Sequence, residues 1–139
     1  MIFKYRKISL SSPFSRKKYL LRPIIPVSLS YKNRSIHYEA LIDSGADFSI
    51  FPLEIAKMLN ISLKKEDSIY FSGLGDEFME GFKSKIILRI NKLEFKTNVV
   101  FADLSGKSGI LGQNGFFDLF EVKFNLLEQE IEITPYKPN

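Results

Sequence analysis

Apolar and polar residues alternate along much of the chain, with the two-residue period of half-buried strands. Residues 23–31, "PIIPVSLSY", and 35–43, "SIHYEALID", are separated by "KNR", a spacing that predicts a hairpin. Residues 66–71, "EDSIYF", and 77–90, "EFMEGFKSKIILRI", flank "SGLGD", whose two glycines predict the tip of a second hairpin. Residues 93–103, "LEFKTNVVFAD", predict a further strand.

The pattern changes in "PLEIAKMLNI", residues 52–61, where apolar residues fall at helical spacing. Pro52 suits the first helical position and Asn60 the exit, so the sequence predicts one short helix here. Residues 110–120, "ILGQNGFFDLF", predict a buried strand that breaks at a glycine, followed by a short helix near Phe116. "EVKFN" and "QEIEIT" predict a terminal antiparallel pair. Roughly seven or eight short strands with one or two short helices indicate a mostly-β fold, a closed barrel.

The composition limits the chemistry that the chain can perform. Its 139 residues, 45% of them hydrophobic, suit one compact domain. The chain has no cysteine and one histidine, which excludes disulfides and thiolate nucleophiles and argues against a histidine-rich metal site. No stretch approaches the roughly 20 apolar residues of a membrane helix, and the N-terminus lacks the apolar run of a signal peptide. We therefore expect a soluble, cytoplasmic protein that does not enter a membrane.

Positive charge is concentrated at the N-terminus. Residues 1–22 hold seven of the 20 lysine and arginine residues and no acidic residue, and the rest of the chain is slightly acidic. We interpret residues 1–21 as a basic N-terminal arm and residues 22–139 as the domain. Such an arm can contact nucleic acid, an anionic surface or an acidic patch on a partner subunit. It can equally be a solvated, partly disordered leader.

The segment "ALIDSGADFSIFP", residues 40–52, places a carboxylate, a hydroxyl and a glycine in succession at the end of an apolar strand. A carboxylate in this position must be paired, hydrogen-bonded, protonated or exposed in a cleft, because burial of an isolated charge is costly. Gly45 permits backbone N–H groups to approach the Asp43 carboxylate, and the Ser44 hydroxyl can connect two loops. These residue types also form simple turns that cap a strand, so the segment alone leaves both interpretations open.

Two motifs together resemble the retropepsin-like aspartic protease family, and we expect a single-domain member that is bacterial or otherwise non-viral. Asp43-Ser44-Gly45-Ala46 matches the family's D-[ST]-G-A active-site loop. Ile110-Leu111-Gly112 matches its hydrophobic-hydrophobic-Gly segment, and the glycine-tipped hairpin lies between the two motifs. The resemblance extends from about Arg22 to about Thr134. It implies an acid-protease-like barrel, a peptide or protein substrate, and no metal or organic cofactor.

The resemblance also implies roles for individual residues. Asp43 would be the catalytic residue, with Gly45 positioning its carboxylate and Ser44 forming hydrogen bonds between two active-site loops. Ala46 would complete the active-site loop. The hairpin tip would be a flap that closes over a peptide, so substrate-binding residues are expected to be Asp47, Gly73, Leu74 and Gly75. Support beneath the loop is expected from Ile110, Leu111 and Gly112.

The chain departs from the viral pattern at Gln113, where an arginine commonly pairs with the acid at the position of Asp47. A glutamine can still hydrogen-bond to a carboxylate without supplying charge. Asp47 is then held more loosely or is free to bind a peptide backbone. The N-terminal arm is also longer than the family's minimal domain requires, which puts the terminal-strand dimer sheet of the viral enzymes in doubt.

Aspartic proteases use two aspartates, and this chain has one D-[ST]-G motif. The resemblance therefore implies a homodimer in which Asp43 of each subunit activates water as an aspartic endopeptidase, because a two-fold interface brings the same residue face to face. A non-catalytic peptide-binding or regulatory module on the same fold is the alternative. Nucleic-acid binding through the arm is a weaker third hypothesis, because the body of the chain has a net negative charge.

Overall fold

The computed structural model describes residues 1–10, 13–14, 16–72 and 77–136. Within these residues the chain forms twelve strands, one short α-helix and one 3₁₀ turn at Lys65–Asp67. The strands and the helix are β1 Ile2–Lys4, β2 Arg6–Ile8, β3 Leu20–Arg22, β4 Ile24–Tyr31, β5 Arg34–Ile42, β6 Ile50–Pro52, α1 Leu53–Met58, β7 Ser68–Ser72, β8 Phe78–Ile90, β9 Leu93–Ala102, β10 Gly109–Leu111, β11 Phe120–Asn125 and β12 Glu130–Pro135.

Seven strands form a closed sheet in the order β4-β5-β10-β6-β9-β8-β7, and an additional pairing of β4 with β8 closes it. The two predicted hairpins are β4–β5 and β7–β8, and β8 continues into a long antiparallel pair with β9. The alternating pattern produces this arrangement because each strand turns one face to the interior. The predicted mostly-β fold, a closed barrel with one short α-helix, is thus confirmed.

The interior of the barrel is filled by aliphatic and aromatic side chains. Phe51 and Phe101 are fully buried, and the Phe51 ring packs edge-to-face against Tyr38. Phe116 and Phe120 extend the same core towards the C-terminal strands, with ring centroids 5.0 Å apart. Each buried aromatic ring removes a large apolar area from water, which makes these side chains a main source of stability.

Strand β10 lies between β5 and β6 and connects the two sequence motifs. It pairs parallel to β5, with Leu111 opposite Ile42, and antiparallel to β6, with Ile110 opposite Ile50. Because β5 ends directly before Asp43, the loop from residue 43 to residue 49 crosses the end of β10 to reach β6. This topology brings the motifs, which are distant in sequence, to one end of the barrel.

The helix and the turn after β10 differ in part from the sequence pattern. Helix α1 begins at Leu53, one residue after the predicted start, and the chain leaves it through Asn60, whose φ is +59°. In place of a short helix near Phe116, residues 112–120 form consecutive hydrogen-bonded turns, closed by Phe117 N–H to Gly112 O and Phe120 N–H to Phe116 O. The glycine at 115, with a φ of +98°, interrupts regular helix geometry here.

The N-terminal residues take part in two small sheets. Strand β1 pairs with β12 in a three-stranded sheet of order β1-β12-β11, and β2 pairs with β3. Arg6 forms an ion pair with Glu39 on β5, at 2.5 Å. The division between arm and domain at residue 21 stays a prediction, but the first residues of the arm are paired with the C-terminal strand. Among the described residues, no helix is long and apolar enough to cross a bilayer.

Candidate active site

The Asp43 carboxylate lies at the end of β5, in a tight loop that holds it at the surface. The Asp43 N–H donates to the carbonyl oxygen of Leu111 at 3.0 Å, which fixes the start of the loop to β10. The Gly45 N–H donates to Asp43 Oδ1 at 2.9 Å, and the Ala46 N–H closes the turn on the Asp43 carbonyl. Asp43 is half-buried and Gly45 is exposed. The carboxylate therefore has a defined orientation and remains accessible to a ligand.

Gly112 forms the floor beneath this loop. Its N–H donates to the buried hydroxyl oxygen of Ser49 at 3.1 Å. A Cβ atom at Gly112 would collide with the Phe48 carbonyl and would lie 2.7 Å from the Ala46 carbonyl oxygen. These are backbone atoms, so the close approach of the two segments requires a glycine at this position.

Backbone hydrogen bonds connect the floor to the second half of the loop. Gln113 N–H donates to the Ala46 carbonyl at 2.8 Å, and Asn114 N–H donates to the Asp47 carbonyl at 2.9 Å. The Asn114 side chain donates to the same Asp47 carbonyl at 2.8 Å. Asp47 is therefore anchored through its main chain, and its exposed side chain is not needed to hold the loop.

The Gln113 side chain has a different partner from the one suggested by the viral pattern. Its Nε2 donates to the Ser44 carbonyl oxygen at 2.7 Å. The Gln113 side chain thus holds the backbone of Ser44, the residue that follows Asp43. The Asp47 side chain is exposed to solvent. Ser44 itself is exposed, as expected for a side chain that would act between two subunits, and that role stays a prediction.

The β7–β8 hairpin extends from the same end of the barrel. Gly73, Leu74 and Gly75, the predicted flap tip, lie outside the described residues. The flanking strands are paired up to Ser72 and Phe78. An apolar cluster attaches the hairpin to the strands of the active-site loop; it consists of Phe48, Ile50, Ile69, Phe71, Met79, Val100, Ala102, Leu104 and Ile110. Because Ile110 and Phe48 are half-buried, part of this cluster is available to a ligand beside Asp43.

One tyrosine on the hairpin has a raised pKa. The Tyr70 hydroxyl donates to Glu80 Oε2 at 2.7 Å, across the β7–β8 pair. This hydrogen bond and the negative charge of Glu80 raise the pKa of Tyr70 above its ordinary value. The pair is exposed, so it constrains the hairpin surface more than the active-site loop.

Sequence reasoning missed three residues that shape the site. Ser49 is a buried hydroxyl that satisfies the Gly112 N–H, and Asn114 ties the floor to the loop with both its backbone and its side chain. Phe48 forms an isolated bridge with Asn114 and packs edge-to-face against Phe71 of the hairpin. A serine within the apolar run "FSIFP" was the available signal, since buried polar residues need partners.

The Asp43 carboxylate lies outside the nearby cavity and away from the histidine. A cavity of about 820 Å³ lies nearby, but its described lining residues, among them Phe48, Lys83 and Asp118, do not include Asp43. The His37 side chain forms a hydrogen bond with the Ser28 hydroxyl, 2.7 Å away, between strands β4 and β5. It therefore does not form a triad with Ser44. The geometry therefore offers one oriented, accessible carboxylate on a loop that backbone hydrogen bonds hold in place.

Comparison with solved structures shows that this fold is similar to that of a retroviral protease. Of 182 matching chains, one is an EIAV protease in complex with the inhibitor HBY-793; it is 24% identical, with a TM-score of 0.54, and the match covers 66% of this chain and 82% of that chain. No protein-family model and no curated protein sequence match this chain. The comparison supports a retropepsin-like fold but not the expected bacterial or non-viral origin, which stays a prediction.

Proposed function

We propose that this protein is an aspartic endopeptidase that acts as a homodimer, with one Asp43 from each subunit at the active site. The observation that carries the proposal is the Asp43 loop. Its carboxylate is oriented by the Gly45 N–H at 2.9 Å, accessible, and supported from below by a glycine that no other residue can replace without a backbone collision. The fold shared with a retroviral protease supports the same chemistry.

The proposed mechanism needs two carboxylates in different protonation states. Two carboxylates about 4 Å apart repel by about 4 kcal/mol at an effective dielectric constant of 20, which corresponds to a pKa difference of about three units. Because the like charges repel, such a pair keeps one shared proton in the pH range between its two dissociation steps. The ionised Asp43 takes a proton from the attacking water, and the protonated Asp43 of the other subunit donates to the oxygen of the scissile carbonyl.

Half-buried apolar side chains beside the loop favour a peptide with apolar residues next to the scissile bond. Phe48 lies in the loop and Ile110 on the adjoining strand β10, and both belong to the apolar cluster that supports the hairpin. A substrate side chain that covers them gains roughly 25 cal/mol for each Å² of apolar surface removed from water. We expect the exposed Asp47 to contact the peptide main chain further from the scissile bond.

The experiment is cleavage of a diverse peptide mixture, read by mass spectrometry, between pH 3 and 8 and over a series of protein concentrations. We expect the wild type to cleave with a rate that falls more steeply than linearly on dilution, and Asp43→Asn to be inactive with unchanged circular dichroism. His37→Asn is the control and is expected to stay active. Absence of Asp43-dependent cleavage from a folded dimer would refute the protease and favour a peptide-binding module.

A further inference from the structure

A row of three polar side chains crosses the outer face of the barrel where strand β4 closes against β8. Ser28 on β4 lies opposite His37 on β5 and, on its other side, opposite Arg89 on β8. Residues that pair in neighbouring strands turn their side chains to the same face of a sheet. Val27 and Leu29, the neighbours of Ser28 along β4, are buried in the core, so the row faces outwards. The chain's single histidine and an arginine therefore flank one serine.

Ser28 fixes the orientation of the His37 ring. Although it lies on the outer face, Ser28 is only 8% exposed, and its hydroxyl oxygen is 2.7 Å from His37 Nδ1. A buried hydroxyl needs such a partner. When the hydroxyl donates to Nδ1, the proton of the neutral ring is on the other nitrogen, Nε2, and in the charged ring both nitrogens carry protons. In both of these forms the Nε2–H group is a donor that is directed away from Ser28.

The Arg89 guanidinium is held at the turn between β8 and β9. Its Nε donates to the carbonyl oxygen of Asn91 at 3.1 Å, and Asn91 has a φ of +54°. Glu94 lies opposite Arg89 on β9, but the ion pairs among the described residues do not include Arg89. The two terminal nitrogens of the guanidinium therefore keep the parallel donors that suit a two-oxygen contact with a phosphate or a carboxylate.

A cavity of about 360 Å³ opens beside this row. Its described lining consists of Pro26, Val27, Ser28, His37, Arg89 and Asn91. The cavity lies where the β4–β8 pairing ends, because Ser28 and Arg89 are the last pair on this side. In the same register, the next hydrogen-bonding position would place Pro26 opposite Asn91. Proline has no N–H and cannot continue the ladder, which explains why the two strands separate here. The volume falls within the about 300–1,000 Å³ of small-molecule sites.

The charges around the cavity favour an anion. Arg89 and His37 line it, and its described lining includes no acidic side chain. Glu39 lies two residues after His37 on β5, but it forms an ion pair with Arg6, so its charge is compensated. Glu94 lies on the neighbouring strand β9 and does not line the cavity. An anion in the cavity therefore meets hydrogen-bond donors and positive charge rather than carboxylates.

We propose that this cavity binds an oxyanion, a phosphate or carboxylate group carried by a small molecule. Arg89 contacts two of its oxygens, and the Nε2–H group of His37 donates to the same group. Ser28 is a positioning residue, because it holds the His37 ring. His37 lies six residues before Asp43 on β5, which is about 20 Å along an extended strand. The site is thus separate from the Asp43 loop and does not depend on the proposed protease activity.

Phosphate titration followed by proton NMR tests the site, because the single histidine gives one Cε1–H signal. At constant pH and ionic strength, we expect sodium phosphate to move this signal saturably in the wild type. Arg89→Gln should raise the dissociation constant at least about 10-fold, since it removes a charge-assisted two-point contact. Lys85→Gln is the matched control. It removes one exposed positive charge from the same strand, outside this cavity, and should bind phosphate as the wild type does.

Two conservative variants test the geometry of the contacts. Arg89→Lys keeps the charge but not the planar pair of donors, so its dissociation constant should lie between those of the wild type and Arg89→Gln. Equal binding by the wild type and Arg89→Lys would overturn the two-oxygen contact. Ser28→Ala should raise the dissociation constant by about 2- to 10-fold, and Ser28→Thr, which keeps the hydroxyl, should restore it. An unchanged dissociation constant in Ser28→Ala would overturn the positioning role.

Sodium acetate in place of phosphate distinguishes the two sources of the oxyanion. Saturation by phosphate alone assigns a phosphoryl group to the ligand, and saturation by acetate assigns a carboxylate. Asp43→Asn should bind as the wild type does, so the result is independent of peptide cleavage. The proposal is overturned if neither anion moves the signal saturably, or if Arg89→Gln, with unchanged circular dichroism, binds as tightly as the wild type.

Discussion

Replacement of Gly112 by alanine tests whether the floor of the active-site loop is as tightly packed as its geometry indicates. The added methyl group would lie 2.7 Å from the Ala46 carbonyl oxygen and would collide with the Phe48 carbonyl. An ordinary contact needs 3.4 Å or more, so the two backbone segments must separate by roughly 0.7 Å or more. Flexible side chains cannot absorb this shift, because the obstructing atoms belong to the main chain.

The expected loss of stability follows from the hydrogen bonds that connect the two backbone segments. Separation lengthens the hydrogen bonds from Gln113 N–H to the Ala46 carbonyl, 2.8 Å, and from Asn114 N–H to the Asp47 carbonyl, 2.9 Å. Loss of two such bonds costs about 2 kcal/mol, and overpacking adds about 1–3 kcal/mol. We therefore expect Gly112→Ala to lower the free energy of unfolding by about 3–5 kcal/mol, a large share of the about 5–15 kcal/mol of a typical domain.

Urea unfolding followed by circular dichroism, at a fixed protein concentration, measures this loss. Gly106→Ala is the matched control. Gly106 has a φ of +75°, and a Cβ atom added there would have no other atom within 4 Å. Its substitution therefore measures only the energetic cost of a positive φ for alanine. We expect that control to cost about 1 kcal/mol. An equal, small cost for both variants would refute the reasoning, since it would mean that the loop and its floor can separate without penalty.

Three further predictions test the core, the loop support and the hairpin. Phe51→Ala should lower the free energy of unfolding by about 3–5 kcal/mol in urea unfolding, because a fully buried ring leaves a cavity. Ser49→Ala should cost about 1–3 kcal/mol in the same assay, because the buried N–H of Gly112 loses its acceptor. In ultraviolet titration, Tyr70 should ionise above the ordinary tyrosine pKa of 10.0, and Glu80→Gln should lower its pKa. Since the folded-state pKa is raised, this contribution to stability is fully present below about pH 10 and is lost as the pH rises through the folded-state value.

The hairpins were predictable from the sequence because their information is local. Strands β4 and β5 alternate cleanly and are separated by a short polar turn, so neighbouring residues determine their pairing. Strand β6 was missed because it has three residues, all buried, and its partners are the distant strands β9 and β10. Strand β1 pairs with β12, which lies far from it in the sequence. Hydrophobic periodicity within the basic N-terminal segment does not predict which distant strand it pairs with.

Some residues of the candidate site could likewise be identified from the sequence, and others could not. Asp43 and Gly112 were identified from motifs, because a carboxylate and a glycine have few reasons to stand in an apolar setting. The partner of Gln113 could not be read from the sequence: a side-chain amide can reach any carbonyl within its range, and only the folded loop places the Ser44 oxygen 2.7 Å away. Ser49 and Asn114 are polar residues whose importance comes from the backbone groups they satisfy.

The loop and the pairing of two subunits contribute to the proposed activity in different ways, and dilution separates them. The Gly45 N–H that donates to the Asp43 carboxylate belongs to the same chain, so a subunit carries this part of the geometry before it meets a partner. Dilution of the wild type lowers the fraction of subunits that are paired, and a higher protein concentration should restore its activity. Gly112→Ala changes the geometry of the loop itself, and no concentration should restore it. If Gly112→Ala recovered activity at high concentration as the diluted wild type does, the loop would be shaped by the partner subunit, and the intrachain hydrogen bonds described here would not be what orients Asp43.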